Sequence, residues 1–441
     1  MELLLDSEKE PAAAVSFWRN PTDWLREKNL SSGFWIFFSA AFFFDAGFAV
    51  YFFLFNLYLL DFHFNERAIG LVNGALTLGA LVGTLPAGAL GRRFGARAVL
   101  LFCFIASPLL GVARALWVWE PAQIALAFIT GAAMCSWTVT FLPAVARLTT
   151  KANRTSAISL IFSVGVGTSA LGGAICGYLP QWLTMTGSAM QPAAVKRLIL
   201  LVSCAVAAAG IFSVFRLRMP VASPSSMEAR QASSAWRTGF RGHAFLWRFL
   251  LCMALWSAIL AAFNAFGNVY LSRGLHIPIA HIGMIFSVAQ LIQLGSGLLV
   301  PVVLRRLGML RGIFVTQFAA ALTLGGLATV HQTGLAIGIY LAFSAAQWMS
   351  SPGLYSLLMN ETPDAQRTTA ASATMFANSL VSSVATAGVG ILFTQFGYPR
   401  ILLSIAACAV LIALMSRLLL SENKERGATR PAPESHPALI D

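Results

Sequence analysis

Charged side chains are scarce in this chain of 441 residues. Only 11% of the residues are Asp, Glu, Lys or Arg, whereas 57% are hydrophobic, and the mean hydropathy is +0.73. Because soluble domains carry about 25% charged residues, this composition excludes an ordinary water-soluble protein. Apolar runs of about 18 residues or more recur along the chain, and each is long enough to cross a bilayer as a helix. The sequence therefore predicts an all-α membrane protein with many spans, embedded in the lipid bilayer.

Residues that usually build catalytic or metal centres are also few. The six cysteines stand singly inside apolar runs without a CxxC pair, so they are expected to be small core side chains. None of the six histidines lies deep in an apolar run, which argues against a transition-metal site. The sequence has no Walker-type phosphate loop and no nucleophile–base pair. We therefore predict no enzyme activity, no cofactor, no metal and no ATP-driven pumping.

Basic residues outnumber acidic ones, and their distribution predicts the topology. Membrane proteins retain Lys and Arg in cytoplasmic loops, so the net charge of +13 needs no nucleic-acid partner. Twelve spans are predicted, near 33–60, 68–90, 98–116, 121–147, 155–180, 196–216, 246–272, 279–303, 311–330, 333–358, 368–394 and 398–420. Of the 30 Lys and Arg residues, only six fall on the side opposite the termini: Arg67, Arg114, Lys196, Arg197, Arg273 and Arg400. Both termini are therefore expected in the cytoplasm, at a bacterial inner membrane, and Arg114 is expected to extend to the membrane interface.

The polar breaks divide the chain into two bundles. We expect a cytoplasmic N-terminal segment, six spans, a central cytoplasmic loop, six further spans and a disordered cytoplasmic tail: 1–32, 33–216, 217–247, 248–420 and 421–441. No cleavable signal peptide is expected in the polar first segment. Within it, 17–29 is interpreted either as a short helix on the membrane surface or as a solvated tail.

The second half of the chain repeats landmarks of the first. A shift of 213 residues places Arg92 on Arg305, Arg93 on Arg306, Gly95 on Gly308 and Arg154 on Arg367. A shift of 212 places the segment NLYL at 56–59 on NVYL at 268–271. Because six spans separate the copies, both halves have the same orientation, which predicts a pseudo-twofold axis along the membrane normal.

The loop between spans 2 and 3 resembles the signature loop of the major facilitator superfamily, roughly G-x-L-a-D-R-x-G-R-R. Five positions fit this pattern: Gly88, Leu90, Arg93, Gly95 and Arg97. Arg92 stands where the family usually has Asp, and Ala96 replaces a basic residue. With the twelve spans, the repeat and the central loop, the resemblance covers about 33–420. It implies a rocker-switch transporter whose cavity is lined mainly by spans 1, 4, 7 and 10, with spans 2, 5, 8 and 11 at the side interfaces.

The basic residues of the equivalent loops have two interpretations. They anchor these loops in the cytoplasm, or they form a cytoplasmic gate, in which Arg92 or Arg93 pairs with Glu361 or Asp364. The residues assigned to topology or gating are Gly88, Arg92, Arg93, Gly95, Arg97, Arg305, Arg306, Gly308, Glu361 and Arg367.

Asp45 is the one acidic residue predicted to lie deep in a span, about 18 Å along the first helix at 1.5 Å per residue. Charges inside a membrane are costly and usually functional. Asp45 is therefore a candidate for coupling to protons or to a cationic cargo. The alternative is a structural role, protonated and hydrogen-bonded to a neighbouring helix.

Other polar side chains are candidates for lining a nearly uncharged cavity. The repeat maps Asp45 and Asn56 onto Ser257 and Asn268, so each half carries a polar stripe. The cavity candidates are Asn56, Trp137, Thr138, Ser257, Asn264, Asn268, Gln290, Gln293, Gln347, Trp348, Tyr355 and Asn378. A single polar residue of this kind, outside the two stripes, more often forms a hydrogen bond with a neighbouring helix than it binds a solute.

These features predict a monomeric secondary transporter of a small organic solute, coupled to protons through Asp45, with the direction of transport left open. A drug or metabolite efflux antiporter is the first alternative. Ala127 stands where drug antiporters of the family have Arg, and TSALGG at 168–173 lacks their Gly-Pro, which weakens that alternative. A receptor or scaffold on the same fold is the second alternative.

Overall fold

The described part of the chain folds as two bundles of six long helices. The computed structural model describes residues 30–150, 153–185, 191–219, 244–330, 332–362 and 367–428. The first bundle comprises α1 Ser32–Asp61, α2 Glu66–Phe94, α3 Ala96–Leu116, α4 Glu120–Leu148, α5 Arg154–Met185 and α6 Pro192–Arg216. The second comprises α7 Ala244–Asn264, α8 Ile279–Leu307, α9 Met309–Thr329, α10 Thr333–Glu361, α11 Arg367–Phe396 and α12 Tyr398–Ala428.

Within the described ranges, eleven helical segments are long and apolar enough to span a membrane, and α10 is the helix that falls short. It carries Ser344, Gln347 and Ser350, which lower the hydropathy of its middle. Its 29 residues still exceed the roughly 20 that a span requires. The twelfth span therefore stays a prediction.

Several segments named in the sequence lie outside the described residues. Residues 1–29, which include the proposed surface helix, are among them, as are 220–243 of the central loop and 429–441 of the tail. At the edges of these segments, α7 already begins at Ala244 and α12 continues to Ala428, past the expected end at 420.

The seventh helix is broken, where one continuous span over 246–272 was expected. α7 ends at Asn264, a helical turn follows at Gly267–Val269, and a π-helical turn spans Tyr270–Gly274. Asn and Gly are weak helix formers, which favours a break at this point. The hydropathy of the segment stays high through the break, so the apolar pattern does not reveal it. The break leaves the Ala265 carbonyl free for a partner on another helix.

Two equivalent glycines join helices at the end where α1 begins and α12 ends. Gly95 connects α2 to α3 with φ of +83°, and Gly308 connects α8 to α9 with φ of +80°. Residues with a Cβ rarely adopt this conformation, so glycine suits both positions. The repeat in the sequence thus corresponds to the same backbone conformation in both halves.

The two bundles meet through two equivalent helix pairs, α2 with α11 and α5 with α8. A Cβ built on Gly74 would lie 2.9 Å from the Ser383 carbonyl oxygen, and one on Gly173 would lie 2.9 Å from the Gly283 carbonyl oxygen. Only glycine allows these backbones to approach so closely, which is a common way to pack helices in lipid.

Two basic residues are buried in the first bundle, at the end opposite the start of α1. Arg114 is 1% exposed, its guanidinium carbon lies 4.2 Å from the centroid of the Phe55 ring, and Nε donates to Gln123 Oε1 at 3.4 Å. The interpretation that Arg114 extends to the membrane interface was wrong, because an aromatic ring and an amide hold it inside the bundle. Lys196 is 5% exposed, and its Nζ lies 2.8 Å from Asp61 Oδ1.

Candidate substrate cavity

A cavity of about 560 Å³ lies between the two bundles. Its lining residues are Phe44, Asp45, Phe48, Ala49, Phe52, Phe53, Asn56, Asn73, Met134, Trp137, Gly165, Ser169, Gly173, Asn264, Ala265, Asn268, Phe286 and Gln290. They come from α1, α2, α4, α5 and α8 and from the broken end of α7. The family resemblance implies that α10 also lines the cavity, but α10 contributes none of the described lining residues. Instead, the close approach of α5 to α8 brings Phe286 and Gln290 to the wall.

Asp45 is the single charged residue among the described lining residues, and its side chain is partly buried. No other described residue forms a hydrogen bond or an ion pair with this carboxylate. A Cβ built on Gly165 of α5 would lie 3.6 Å from Asp45 Oδ2, so glycine keeps the space beside the carboxylate free of a side chain. The carboxylate therefore faces the cavity without a fixed counterion among the described residues.

Aromatic rings form much of the cavity wall. Phe48 and Phe52 follow Asp45 on one face of α1, because residues three and seven positions on return to the same side of a helix. Trp137 of α4 stacks on Phe37 with centroids 5.6 Å apart and lies 5.4 Å from the ring of Phe44. These contacts hold the indole in place from behind, so that Trp137 offers the cavity a preorganised surface.

Side-chain amides line the cavity near the loops between α1 and α2 and between α7 and α8, at what we call the closed end. Asn56 Nδ2 donates to the Ala265 carbonyl at 3.1 Å, and Asn268 Nδ2 donates to the Phe53 carbonyl at 2.9 Å. Asn73 Nδ2 donates to Asn56 Oδ1 at 3.3 Å. These bonds join α1 to the broken end of α7, and the side chain of Asn264 is exposed beside them.

A second cluster joins the bundles at the outer edge of the closed end. Glu66 Oε1 accepts from Arg273 Nη1 at 3.2 Å and from the Tyr398 hydroxyl at 2.9 Å. The sequence placed Glu66 and Arg273 in separate loops and gave no sign of the contact.

The hydrogen bonds and the ion pair described above join the bundles at the closed end. We call the opposite end, where α1 begins and α12 ends, the open end. A Cβ built on Gly167 of α5 or on Gly295 of α8 would meet no described atom within 4 Å. On the same two helices, Gly173 and Gly283 are in close contact.

The structure brings six of the sequence candidates together in the cavity and places the others elsewhere. Asp45, Asn56, Trp137, Asn264, Asn268 and Gln290 line the cavity, whereas Thr138, Ser257, Gln293, Gln347, Trp348, Tyr355 and Asn378 do not belong to its described lining. Ser257, the equivalent of Asp45, instead shares a hydrogen bond of 2.8 Å with Ser382 of α11. The sequence prediction did not include Asn73 or the aromatic residues of α1, because it named no cavity candidate on the second span and, on the first span, only polar residues.

Some of these outlying candidates lie at other helix contacts. Trp348 is 48% exposed, and a Cβ built on Gly297 would lie 3.3 Å from its Nε1. Gln347 Oε1 and Asn378 Oδ1 are buried without a hydrogen-bond partner among the described residues. Thr138 donates to the Cys135 carbonyl in its own helix at 2.8 Å.

The arginine-rich loops lie at the open end. Arg93 is exposed over the Phe94 ring, and Arg97 Nη2 donates to the Phe215 carbonyl at 2.5 Å. Glu361 is exposed, and no ion pair joins it to Arg93 within the described part of the chain. The side chain of Arg92 and the whole of Asp364 lie outside the description. In the second half, Arg305 Nε donates to the Pro301 carbonyl at 3.2 Å, Arg306 and Gly308 are exposed, and Arg367 Nε donates to the Met359 carbonyl at 2.9 Å.

The family follows from a match that covers most of the chain. Residues 37–386 match the family model described as Major Facilitator Superfamily. The chain belongs to the Major Facilitator Superfamily. Members of this family are transporters and not enzymes, and they handle small solutes, often with proton coupling. The chain is accordingly an integral membrane protein with the fold of a secondary transporter.

Solved transporters share this fold at low sequence identity. The nucleoside transporter NupG has a TM-score of 0.71 and 17% identity, over 88% of this chain and 99% of its own. A D-xylose-proton symporter has a TM-score of 0.69 and 14% identity, over 87% of this chain and 96% of its own. An inward-facing bacterial homologue of the human lysosomal transporter Spinster has a TM-score of 0.70 and 14% identity, over 91% of this chain and 100% of its own. No curated protein shows a significant sequence match to this chain.

Proposed function

We propose that this protein moves a small organic solute through the central cavity by alternating access, with proton coupling through Asp45. The two bundles rock about the cavity, so that the closed end opens when the open end closes. The equivalent contacts of α2 with α11 and of α5 with α8 are the surfaces on which this motion would occur. The carboxylate of Asp45 takes up and releases the coupling proton.

The observation that carries this proposal is the position of Asp45. It is the one charged group of the described cavity lining, and no described cation neutralises it. A carboxylate in such a place can change its charge while the cavity changes its exposure. The nucleoside transporter and the xylose-proton symporter of the same fold support a small polar solute. A receptor or scaffold on this fold would not need a titratable group facing an open cavity.

The distribution of Lys and Arg supports an orientation with both termini in the cytoplasm. The open end would then face the cytoplasm, and α10 would be the twelfth span. We propose a monomer in the inner membrane of a bacterium, in which each chain encloses its own cavity.

Transport by purified protein in proteoliposomes tests the proposal. The probes are radiolabelled uridine, xylose and phenyltrimethylammonium, which represent a nucleoside, a sugar and an organic cation. We expect counterflow of at least one probe, and accumulation of that probe when a pH gradient is imposed. Absence of counterflow for all three would contradict the transport proposal.

The coupling role of Asp45 is tested with a matched pair of variants. Asp45→Asn should abolish accumulation driven by the pH gradient, because the amide cannot bind and release a proton. Glu120→Gln makes the same chemical change at an exposed residue at the start of α4, and it should behave as wild type. If Asp45→Asn still accumulates a probe in response to the pH gradient, the coupling proposal is wrong.

A further inference from the structure

We infer that the transported solute is an organic cation, with a positively charged nitrogen and an apolar or aromatic portion, held between Asp45 and the aromatic wall. This inference rests on the proposed function, since it names the solute class for the same cavity. It is carried by three properties of the lining: its charge, its rings and its amides.

The charge of the lining favours a cation. Apart from Asp45, the described lining has no Asp, Glu, His, Lys, Arg, Cys or Tyr. An anionic solute would meet a like charge and no compensating cation among the described lining residues. A cation would instead neutralise the one charge that the cavity carries.

Charged groups on helices packed against α1 do not compensate Asp45. Lys196 is paired with Asp61, Arg197 Nε donates to the Tyr58 hydroxyl at 2.9 Å, and Arg114 lies over the ring of Phe55. Glu120 begins α4, Arg147 is in its last turn, Arg154 begins α5 and Arg216 ends α6, so these four charges lie at helix ends, whereas Asp45 lies in the middle of α1. The remaining titratable groups on these helices are phenols and thiols, which are ordinarily neutral at neutral pH. Asp45 is therefore available for a charge that arrives with the solute.

Aromatic faces around the carboxylate favour the same class of solute. The electron-rich faces of Trp and Phe attract ammonium groups, and Trp is the most effective of them. Trp137 is held by Phe37 and Phe44, and Phe48 and Phe52 share the face of α1 that carries Asp45. A carboxylate bordered by fixed rings binds a poorly hydrated organic cation better than a strongly hydrated metal ion.

The amides at the closed end indicate which groups the solute can carry at a distance from its charged nitrogen. The side-chain amides of Asn56 and Asn268 donate hydrogen bonds to carbonyl groups of the opposite bundle. The side chain of Asn264, at the break in α7, is exposed and can contact a solute. The volume of about 560 Å³ is within the usual range for pockets that bind small molecules. A solute with one hydrogen-bonding group distant from its charged nitrogen would match this arrangement.

A single carboxylate cannot hold a proton and a cation together. Protonation removes the negative charge, so cation binding should weaken as the pH is lowered. Exclusive occupancy of Asp45 would couple movement of the solute in one direction to movement of protons in the other.

Binding to the purified wild-type protein in nanodiscs tests the inference. The probes are phenyltrimethylammonium and tetraphenylphosphonium as cations, benzyl alcohol as a neutral analogue, and tetraphenylborate as an anion matched in size to tetraphenylphosphonium. Binding is measured by tryptophan fluorescence and by competition with a radiolabelled cation. We expect at least one cation to bind at least tenfold more tightly than the neutral and anionic probes, and its affinity to fall when the pH is lowered.

Variants separate a cation site from simple partition into an apolar cavity. Asp45→Asn should weaken cation binding at least tenfold, while Glu120→Gln should leave it unchanged. Equal binding of cation and anion, or cation binding that neither Asp45→Asn nor acid pH weakens, would overturn the inference. The pH titration needs no variant, so the inference remains testable even if Asp45→Asn does not fold.

The outcomes distinguish this inference from the proposed function. Counterflow of uridine or xylose without Asp45-dependent cation binding would leave a transporter and remove the cationic solute. Cation binding through Asp45 without counterflow of any probe would support the binding site and contradict the transport proposal.

Discussion

Asn56 and Asn268 bind each other's helices reciprocally across the pseudo-twofold axis. Asn56 donates to the carbonyl three residues before Asn268, and Asn268 donates to the carbonyl three residues before Asn56. The repeat maps each asparagine onto the other and Phe53 onto Ala265. The same sequence element, placed twice by the repeat, thus closes one end of the cavity from both sides.

Removing this reciprocal pair should favour opening of the closed end. Each interhelical hydrogen bond contributes about 1 kcal/mol, so Asn56→Ala or Asn268→Ala should increase the open fraction about fivefold. Electron–electron distance measurements between spin labels at Trp119 and His276, which are exposed in opposite bundles near this end, would report the change.

The control for this experiment is Asn360→Ala, at an exposed asparagine in the last turn of α10. It should leave the distance distribution unchanged. An effect of Asn360→Ala equal to that of Asn268→Ala would show that the reciprocal pair has no special share in closure.

Glu66→Gln should also favour opening, through loss of charge. The variant keeps an acceptor for the Tyr398 hydroxyl but loses the ion pair with Arg273, whose side chain is 38% exposed. Such partly exposed pairs contribute up to about 1 kcal/mol, so a two- to fivefold shift is expected at low ionic strength. High salt should reduce the difference between wild type and variant, because screening weakens the pair in the wild type.

Exchange of the two charges provides the control for this pair. Glu66→Arg combined with Arg273→Glu should recover much of the wild-type distance distribution, whereas Glu66→Arg alone should open the end further. If the exchanged protein resembles the single variant, the ion pair does not contribute to closure.

Hydropathy and the repeat made much of the helical architecture predictable. Apolar length locates the spans, and the repeat predicts that Gly95 and Gly308 have equivalent roles, because both signals are local in sequence. The break after Asn264 is not predictable in this way, since apolar residues continue on both sides of it. Hydropathy reports where a segment lies and does not report its hydrogen bonding.

The candidate site was predictable only in part, for a related reason. Asp45, Asn56 and Asn268 stand out because polar groups in apolar helices are rare. The cluster of Glu66, Arg273 and Tyr398 joins residues far apart in the chain, and a single sequence contains no measure of that distance. The burial of Arg114 was not predictable either, because it depends on the Phe55 ring of a different helix.

Gly283→Ala should disturb the contact between α5 and α8. A Cβ at this position would overlap the carbonyl oxygen of Gly173, so the two backbones must separate. Overpacking of this kind costs about 1–3 kcal/mol. It would destabilise only the conformation in which the closed end is shut, because the two backbones are in contact in that conformation. The spin-label distance at that end should lengthen, and transport should slow.

The matched control is Gly295→Ala on the same helix. A Cβ there would meet no described atom within 4 Å, and alanine is the better helix former by about 1 kcal/mol. Gly295→Ala should therefore leave the closed end unchanged and slightly raise the melting temperature. Similar effects of the two substitutions would mean that closeness of the backbones at Gly173 and Gly283 is not what holds the bundles together.

Two buried basic residues should respond differently to the same substitution. Lys196→Met removes the partner of Asp61, whose Oδ2 is already buried without a hydrogen bond among the described residues, so a loss of about 2 kcal/mol in stability is expected. Arg114→Met removes a buried cation that has no acidic partner among the described residues and whose Nη1 is unsatisfied there. The Arg114→Met variant should lose less than about 1 kcal/mol of stability or become more stable, since a hydrophobic side chain of similar length avoids the desolvation of the guanidinium.

Thermal unfolding of both variants in the same detergent gives the comparison. A larger loss for Arg114→Met than for Lys196→Met would mean that the contact with Phe55 stabilises the bundle more than the ion pair does.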